Sequence, residues 1–176
     1  MAVLDIVKYG DPILRKVCAP VKDFSGLDRL IEDMFDTMYE AEGIGLAANQ
    51  VGWDMNLFII DITHTEETDE PMVFLNGEIQ SGEGESSYEE GCLSIPEVTF
   101  EITRPEQIYF RYQTPDEEWH EASFGGLLAR AIQHEMDHLT GKMIVDRVSK
   151  LTRIQYKKQL KDLEKQSRAR LKQVMG

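Results

Sequence analysis

Two histidines lie four residues apart in the segment 133–138, and Glu135 directly follows the first of them. Residues at this spacing face the same side of a helix, so the imidazoles of His134 and His138 can bind one metal ion. Glu135 is then placed to accept a proton from a water molecule at that metal. The pattern His-Glu-x-x-His therefore predicts a metal-dependent hydrolase, but it leaves the third metal ligand open.

The third ligand distinguishes between classes of metal enzyme. Metzincin proteases carry a third histidine six residues after the second, where this chain has Ile144. Thermolysin-like proteases use a glutamate from a later helix, and only Asp162 and Glu164 lie near that distance, within a strongly basic segment. Neither pattern is matched, although a zinc peptidase remains a rival interpretation.

Cys92 is the better candidate for the third ligand. It lies in a segment bounded by Gly91 and Pro96, where a loop or a strand end can present a thiolate. One cysteine and two histidines leave a fourth metal position open for water, which is typical of a catalytic zinc-type site. His64 or His120 could close the site into a structural one, but both lie in polar stretches without the context of a ligand.

The apolar residues Leu127, Ala131 and Ile132 precede the histidines at helical spacing, which predicts a core-facing helix over residues 124–139. Two imidazoles and a carboxylate on a buried helix would be costly without a metal. The alternative, a pair of hydrogen-bonded core histidines with no metal, is therefore less favoured.

The remaining periodicities predict one α+β fold. Helices are predicted over residues 11–15, 25–42, 124–139 and 149–173, strands over residues 56–62, 72–76, 98–103, 107–112 and 117–122, and a polar loop over residues 82–90. The glycine-rich segment 43–52 has a tight turn as its simplest interpretation. Because the connections between strands are too short for helical crossovers, we expect antiparallel β-sheets packed around a central metal-binding helix, with a long C-terminal helix.

The formal charge of −13 is unevenly divided along the chain. Residues 147–176 contain ten basic and two acidic residues, whereas residues 1–146 contain nine basic and thirty acidic ones. We therefore expect a single catalytic domain over residues 1–176, with 147–176 as a basic C-terminal helix that can meet a polyanionic partner. An ordinary solvated helix face is the alternative.

The composition argues against a membrane or secreted protein. No run approaches the roughly 18 apolar residues that span a bilayer, and the first residues lack the basic start and apolar stretch of a secretory signal. Cys18 and Cys92 are too few for a disulfide scaffold, and Cys18 is predicted to be a buried, inert thiol. We expect a cytoplasmic location and no membrane partner.

Three motifs resemble those of the peptide deformylases. Residues 43–50 (GIGLAANQ) resemble the family's G-x-G-x-A-A-x-Q motif, residues 90–94 (EGCLS) its E-G-C-x-S motif, and residues 133–138 (QHEMDH) its Q-H-E-x-D-H motif. The motifs occur in the family's order, and the likeness covers nearly the whole chain, including residues 10–15. The lack of a long insertion and the long basic C-terminal helix resemble the type found in Gram-negative bacteria and organelles.

The resemblance implies a hydrolase that removes formate from the N-formyl-methionine of newly made polypeptides. It implies that Cys92, His134 and His138 hold one divalent metal ion. The family uses Fe²⁺ in cells, while Zn²⁺, Ni²⁺ or Co²⁺ suit the same ligands. It further implies Glu135 as general base and then general acid.

The resemblance also implies oxyanion donors and a substrate pocket. The side-chain amide of Gln50 and the backbone N–H of Leu93 would stabilise charge on the formyl oxygen. Ile44, Gly45 and Leu127 would bind the substrate, and the backbone of 44–46 would pair with the peptide as an added strand. Core packing is the alternative role for Leu127.

Two further expectations concern the surroundings of the site. Glu90 and Arg104 would form an ion pair that holds the Cys92 segment, with a surface ion pair as the alternative. The basic C-terminal helix makes the ribosome a candidate partner. The non-enzymatic rival is a binding module with a closed four-ligand metal and a basic helix that contacts RNA.

Overall fold

The computed structural model describes residues 2–175, with side chains described through residue 173. Its helices are α1 (Leu27–Glu40), α2 (Gly126–Leu139), α3 (Lys150–Ile154) and α4 (Lys157–Met175). Its strands are β1 (Gly45–Ala47), β2 (Leu57–Ile60), β3 (Met72–Glu83), β4 (Ser86–Cys92), β5 (Ile95–Arg104), β6 (Gln107–Gln113) and β7 (Trp119–Gly125). Short 3₁₀ helices span Pro12–Arg15, Ala48–Val51, Thr63–Thr65 and Ile144–Arg147. The α+β prediction is confirmed.

The strands form two antiparallel sheets. The larger one has the order β1-β2-β3-β6-β7, and the smaller one is the two-stranded ribbon β4-β5. β2 is buried along its whole length because helices cover both faces of the sheet there, which explains its uninterrupted apolar sequence. α2 and α1 pack on opposite faces, against the clusters around Phe58 and Leu57 respectively.

The prediction of a polar loop over residues 82–90 is wrong. These residues form the end of β3 and most of β4, joined by a turn at Gly84, whose φ is +71°. The far end of β3 and most of β4 are exposed on both faces, so their side chains are mostly polar and show no regular alternation of burial. A sequence pattern that depends on one buried face cannot detect such a ribbon.

The predicted and observed ends also differ for α2, the helix that carries His134 and His138. Phe124 still belongs to β7, so α2 begins two residues later than the apolar pattern predicts. Its N-terminus has no local side-chain cap; instead Glu67 accepts hydrogen bonds from the backbone N–H groups of Leu127 and Leu128, at 3.3 and 3.5 Å. A carboxylate from a distant loop thus satisfies the donors that a helix leaves free at its start.

The predicted helix over residues 149–173 is divided at residues 155 and 156 into α3 and α4. Arg147 precedes both, in the 3₁₀ helix Ile144–Arg147, so it is not part of the basic helix. α4 is anchored to the N-terminal segment: Leu160 is buried, and the Ser167 hydroxyl donates to the carbonyls of Lys8 and Tyr9 at 3.1 and 2.9 Å. Among residues 2–175, no helix has the length and hydrophobicity needed to cross a membrane.

Candidate metal and catalytic site

Cys92, His134 and His138 come together as the sequence predicts. One possible ligand atom from each lies within 4.8 Å of the others, and Cys92 Sγ is 3.2 Å from His138 Nε2. The histidines share one face of α2, with ring centroids 5.1 Å apart. Cys92 is brought to them by a register shift between Gly91 and Cys92 at the end of β4, an irregularity of the kind that redirects a side chain.

The chemistry of this donor set fits a divalent metal. Burial alone would raise the pKa of Cys92, but the imidazoles of His138 and His134 outweigh burial and lower it to about 5. The sulfur is therefore a thiolate, the form that binds metals. Glu135 Oε1 is buried beside this cluster without a hydrogen-bond partner, as expected of a polar group that faces a ligand site.

Glu90 sets the orientation of His134. Its Oε1 lies 3.0 Å from His134 Nδ1, so with Glu90 ionised the ring must carry its proton on Nδ1. Nε2 is then the nitrogen that faces the cysteine and the other histidine, which is the orientation that a metal ligand requires. The backbone carbonyl of His138 is held in turn by Asn49, whose side-chain amide donates to it at 2.8 Å.

The predicted ion pair of Glu90 and Arg104 is buried, not on the surface. Arg104 donates to both Glu90 oxygens at 2.7 and 2.9 Å, and Arg130 donates a further hydrogen bond to Oε2. Burial opposes ionisation of Glu90, but hydrogen bonds from His134 and Arg104 outweigh it and lower its pKa to about 2. The carboxylate behind His134 is thus charged and fully paired.

Asp137 extends this network away from the metal ligands. It accepts from Arg104 Nη1 at 2.9 Å and from Arg147 Nε and Nη2 at 3.0 and 2.6 Å. We call Glu90, Arg104, Arg130, Asp137 and Arg147 the ionic network. The sequence alone does not identify Arg130 or Arg147 as members of this network. Arg130 could have been recognised, because it is a charged residue one helical turn before His134 on an otherwise apolar face.

Glu135 differs from Glu90 in lacking partners. Its side chain is almost fully buried, and burial raises the pKa of this carboxyl. A Cβ atom at Gly45 would lie 2.5 Å from Glu135 Oε2, so only a glycine leaves the carboxylate its place. The glycine-rich segment is therefore not a simple tight turn: β1 brings Gly45 against the predicted base.

Gln50 lies beside the cysteine, as expected for a donor into the site. Its Oε1 accepts from the backbone N–H of Ala47 at 3.0 Å, which fixes the amide so that Nε2 is directed at Cys92 Sγ (3.7 Å) and Ser94 Oγ (3.1 Å). Leu93 follows Cys92, and its side chain packs against Gly43, where an added Cβ would lie 2.8 Å from Leu93 Cδ1. The two predicted oxyanion residues thus flank the same sulfur.

A cavity of about 700 Å³ opens in front of these groups. All three predicted substrate residues, Ile44, Gly45 and Leu127, line it, together with Glu135 and His134. Leu127 also packs against the core cluster of α2, so both of its expected roles are compatible with its position. The volume is within the range of small-ligand sites.

The residues without an assigned role lie elsewhere. Cys18 is buried, as predicted, and burial raises its pKa to about 11, which disfavours the thiolate form. His120 stacks on Tyr112 with ring centroids 5.4 Å apart, and His64 lies in the 3₁₀ helix Thr63–Thr65. Neither histidine lines the cavity.

Comparison with known proteins identifies relatives of the whole chain. A family model described as polypeptide deformylase matches residues 3–154. A peptide deformylase of Chromobacterium violaceum is 46% identical over 168 residues, covering 95% of this chain and 99% of that protein. The crystal structure of peptide deformylase from Thermus thermophilus matches with a TM-score of 0.88 at 38% identity, covering 94% of this chain and 99% of that chain. One from Legionella pneumophila matches with a TM-score of 0.84 at 40% identity, covering 93% and 96%.

Proposed function

Because the chain belongs to the peptide deformylase family, whose members are metal-dependent hydrolases that remove the N-formyl group from new polypeptides, we propose how its own residues divide that reaction. Residues 1–176 act as a single catalytic domain. The observation that carries the proposal is the buried, unpartnered carboxylate of Glu135 beside the Cys92, His134 and His138 cluster, at one wall of the cavity.

Cys92, His134 and His138 hold one divalent metal ion. When bound, the ion supplies Lewis acidity, which polarises the formyl group and makes water more acidic. We propose Fe²⁺ as the occupant, because the family uses it in cells, although a thiolate with two imidazoles also suits Zn²⁺, Ni²⁺ and Co²⁺. Glu90 supports this role by holding the Nδ1 proton of His134.

Glu135 moves the proton. Hydrolysis requires a water molecule to lose a proton as its oxygen bonds to the formyl carbon, and the amide nitrogen to gain one as the C–N bond breaks. A carboxylate whose pKa is raised by burial is suited to both transfers, because it accepts a proton more readily than a fully paired carboxylate and can still release it to the amine. Formate and a free amino terminus result.

Gln50 and Leu93 stabilise the negative charge that develops on the formyl oxygen. The Gln50 amide is already oriented by Ala47, so its Nε2 can donate with little rearrangement. The backbone N–H of Leu93 is the second proposed donor. Tight contacts near Gly45 favour a formyl group, which carries hydrogen where other amides carry carbon.

The peptide binds along β1. Among the strands of residues 2–175, β1 pairs with β2 alone and so forms the edge of the large sheet, and its other side can accept an added strand. Ile44 and Leu127 line the cavity beside it and would contact the unbranched methionine side chain. Nascent N-formyl-methionine polypeptides are the proposed substrates.

An anaerobic assay tests the reaction. The metal-loaded protein should release formate from formyl-Met-Ala-Ser and leave Met-Ala-Ser and acetyl-Met-Ala-Ser intact, with about one metal ion per chain. Cleavage of internal peptide bonds irrespective of the formyl group would instead indicate a peptidase.

A variant at Cys92 tests the ligand set. Cys92→Ala should lose bound metal and activity together, because two imidazoles alone bind it more weakly. Cys18→Ala is the matched control and should keep both. Normal metal content in Cys92→Ala would remove this cysteine from the ligand set.

We further propose a cytoplasmic protein whose basic C-terminal helix docks on the ribosome. Truncation at Arg147 is a poor test, because it removes Arg147 from Asp137 and Leu160 from the core. Replacing the exposed Lys165 and Lys172 by Gln should weaken salt-dependent co-sedimentation with ribosomes. An equal effect from Gln at the exposed lysines 22 and 142 would contradict docking through α4.

A further inference from the structure

A second cavity lies away from the catalytic one, between the N-terminal segment and the α3–α4 pair. Its volume is about 330 Å³. Tyr9, Ile154 and Leu160 supply its apolar lining, and Tyr9 and Leu160 are buried. None of its lining residues takes part in the proposed reaction.

Four basic residues line this second cavity: Lys150, Arg153, Lys157 and Lys161. Their spacing of three, four and four residues places them along one face, because the helical path is nearly continuous from α3 into α4. Tyr156 at the junction donates its N–H to the carbonyl of Arg153 at 3.1 Å. The four cations therefore form a row beside an apolar floor.

Few acidic residues neutralise the positive charge of this row. Among the ion pairs of residues 2–175, none involves the three lysines, and Arg153 meets only Asp146, at 3.9 Å. Glu164 is the single acidic residue of the lining. Like charges three and four residues apart on a helix repel one another, so an anion in the second cavity would relieve the repulsion as well as gain attraction.

We propose that the second cavity binds a small phosphate monoester with an apolar body. The phosphate would contact the lysines and Arg153, and the apolar part would lie against Tyr9, Ile154 and Leu160. The volume suits a ligand of this size. A nucleic-acid strand is less suited, because it would contact exposed lysines from outside and leave the buried floor unused.

Calorimetric titration of the full, metal-loaded protein with phenyl phosphate tests the proposal. We expect one site per chain, weaker binding of inorganic phosphate, which lacks the apolar body, and no binding of phenol, which lacks the charge. Affinity for phenyl phosphate should fall as sodium chloride is raised. Equal affinities for phenyl phosphate and inorganic phosphate would overturn the apolar part of the proposal.

Matched double variants locate the site. Lys157→Gln with Lys161→Gln should weaken phenyl phosphate binding roughly tenfold. Lys158→Gln with Arg168→Gln removes the same charge from exposed positions of the same helix outside the second cavity and should leave binding unchanged. Both pairs should retain deformylase activity, which shows that they fold. Equal weakening by both pairs, or binding of an oligouridylate but not of phenyl phosphate, would overturn the site.

Discussion

Two buried glutamates next to His134, Glu90 on β4 and Glu135 on α2, are in opposite states. Behind His134, Glu90 is buried with three cationic or hydrogen-bonding partners, and its pKa is lowered to about 2. In front, Glu135 is buried with one oxygen unpartnered, and its pKa is raised. Burial is common to both, so the partners decide the difference.

This contrast distinguishes a carboxylate that orients a histidine from one that is available for proton transfer. A fully paired carboxylate orients the histidine and cannot readily take a proton, whereas an unpaired one is costly to bury and is available for chemistry. The ionic network therefore stabilises the cluster through His134, although Glu90 and Arg130 also line the cavity, and Glu135 is left unpaired. Substitutions on the two sides should consequently affect different measurements.

The largest effect on activity is expected from substitution of the unpaired Glu135. Glu135→Gln should lower kcat/KM for formyl-Met-Ala-Ser on the order of a thousandfold, because the proton carrier is lost. Metal content and thermal stability should stay near those of the parent protein. Glu42→Gln, at the rim of the same cavity, is the control. Full turnover by Glu135→Gln would exclude it from proton transfer.

Glu90→Gln tests the paired carboxylate behind His134. It leaves the buried guanidinium groups of Arg104 and Arg130 without their carboxylate, which should cost about 3–5 kcal/mol of unfolding free energy. Metal affinity should also fall about 10–100-fold, since His134 loses its anionic acceptor. Denaturant unfolding and metal titration measure the two effects. The exposed neighbour Glu89 is the control, and an equally small change in both variants would refute the contrast.

Gly45→Ala tests whether the position of the Glu135 carboxylate depends on its close contact with Gly45. The new methyl group would meet Glu135 Oε2 and push the carboxylate away, which should lower kcat/KM about a hundredfold with metal retained. Gly125→Ala is the control, since its Cβ would meet only ordinary contacts beginning at 3.6 Å. Unchanged activity in Gly45→Ala would mean that the carboxylate can move without loss.

Arg147→Gln should have the smallest effect, about 1 kcal/mol of unfolding free energy, because its side chain is 39% exposed and solvent screens what it contributes. Arg104 still pairs with Asp137 in this variant. Metal affinity should not change. Arg168→Gln, at an exposed position of α4, is the control and should have no measurable effect on stability. If Arg147→Gln lowered the unfolding free energy as much as Glu90→Gln, the contribution of each residue in the ionic network would not depend on its burial.

Much of the site can be predicted because its residues lie in short motifs. His134, Glu135 and His138 follow from helical spacing, and Cys92 is favoured once the later ligands of known proteases are absent. Arg130 and Arg147 cannot be assigned, because their partners lie 40 and 10 residues away. The first pair depends on how β4 packs against α2, and the second on how the 3₁₀ helix Ile144–Arg147 folds back onto α2. Charge alone groups Arg147 with the basic tail, whereas the structure pairs it with Asp137.

The sequence by itself determined which residues share one face of the metal-binding helix, since backbone periodicity is local and needs no partner. The sequence motifs also predicted that Gln50 and Cys92 lie next to that helix. Only the tertiary structure decided that the pair of Glu90 and Arg104 is buried and joined by Arg130 and His134, and that Glu135 is buried without a partner. Glu90 and Glu135 are chemically identical, and their states follow from the cations, the glycine and the hydrogen bonds that packing brings to each.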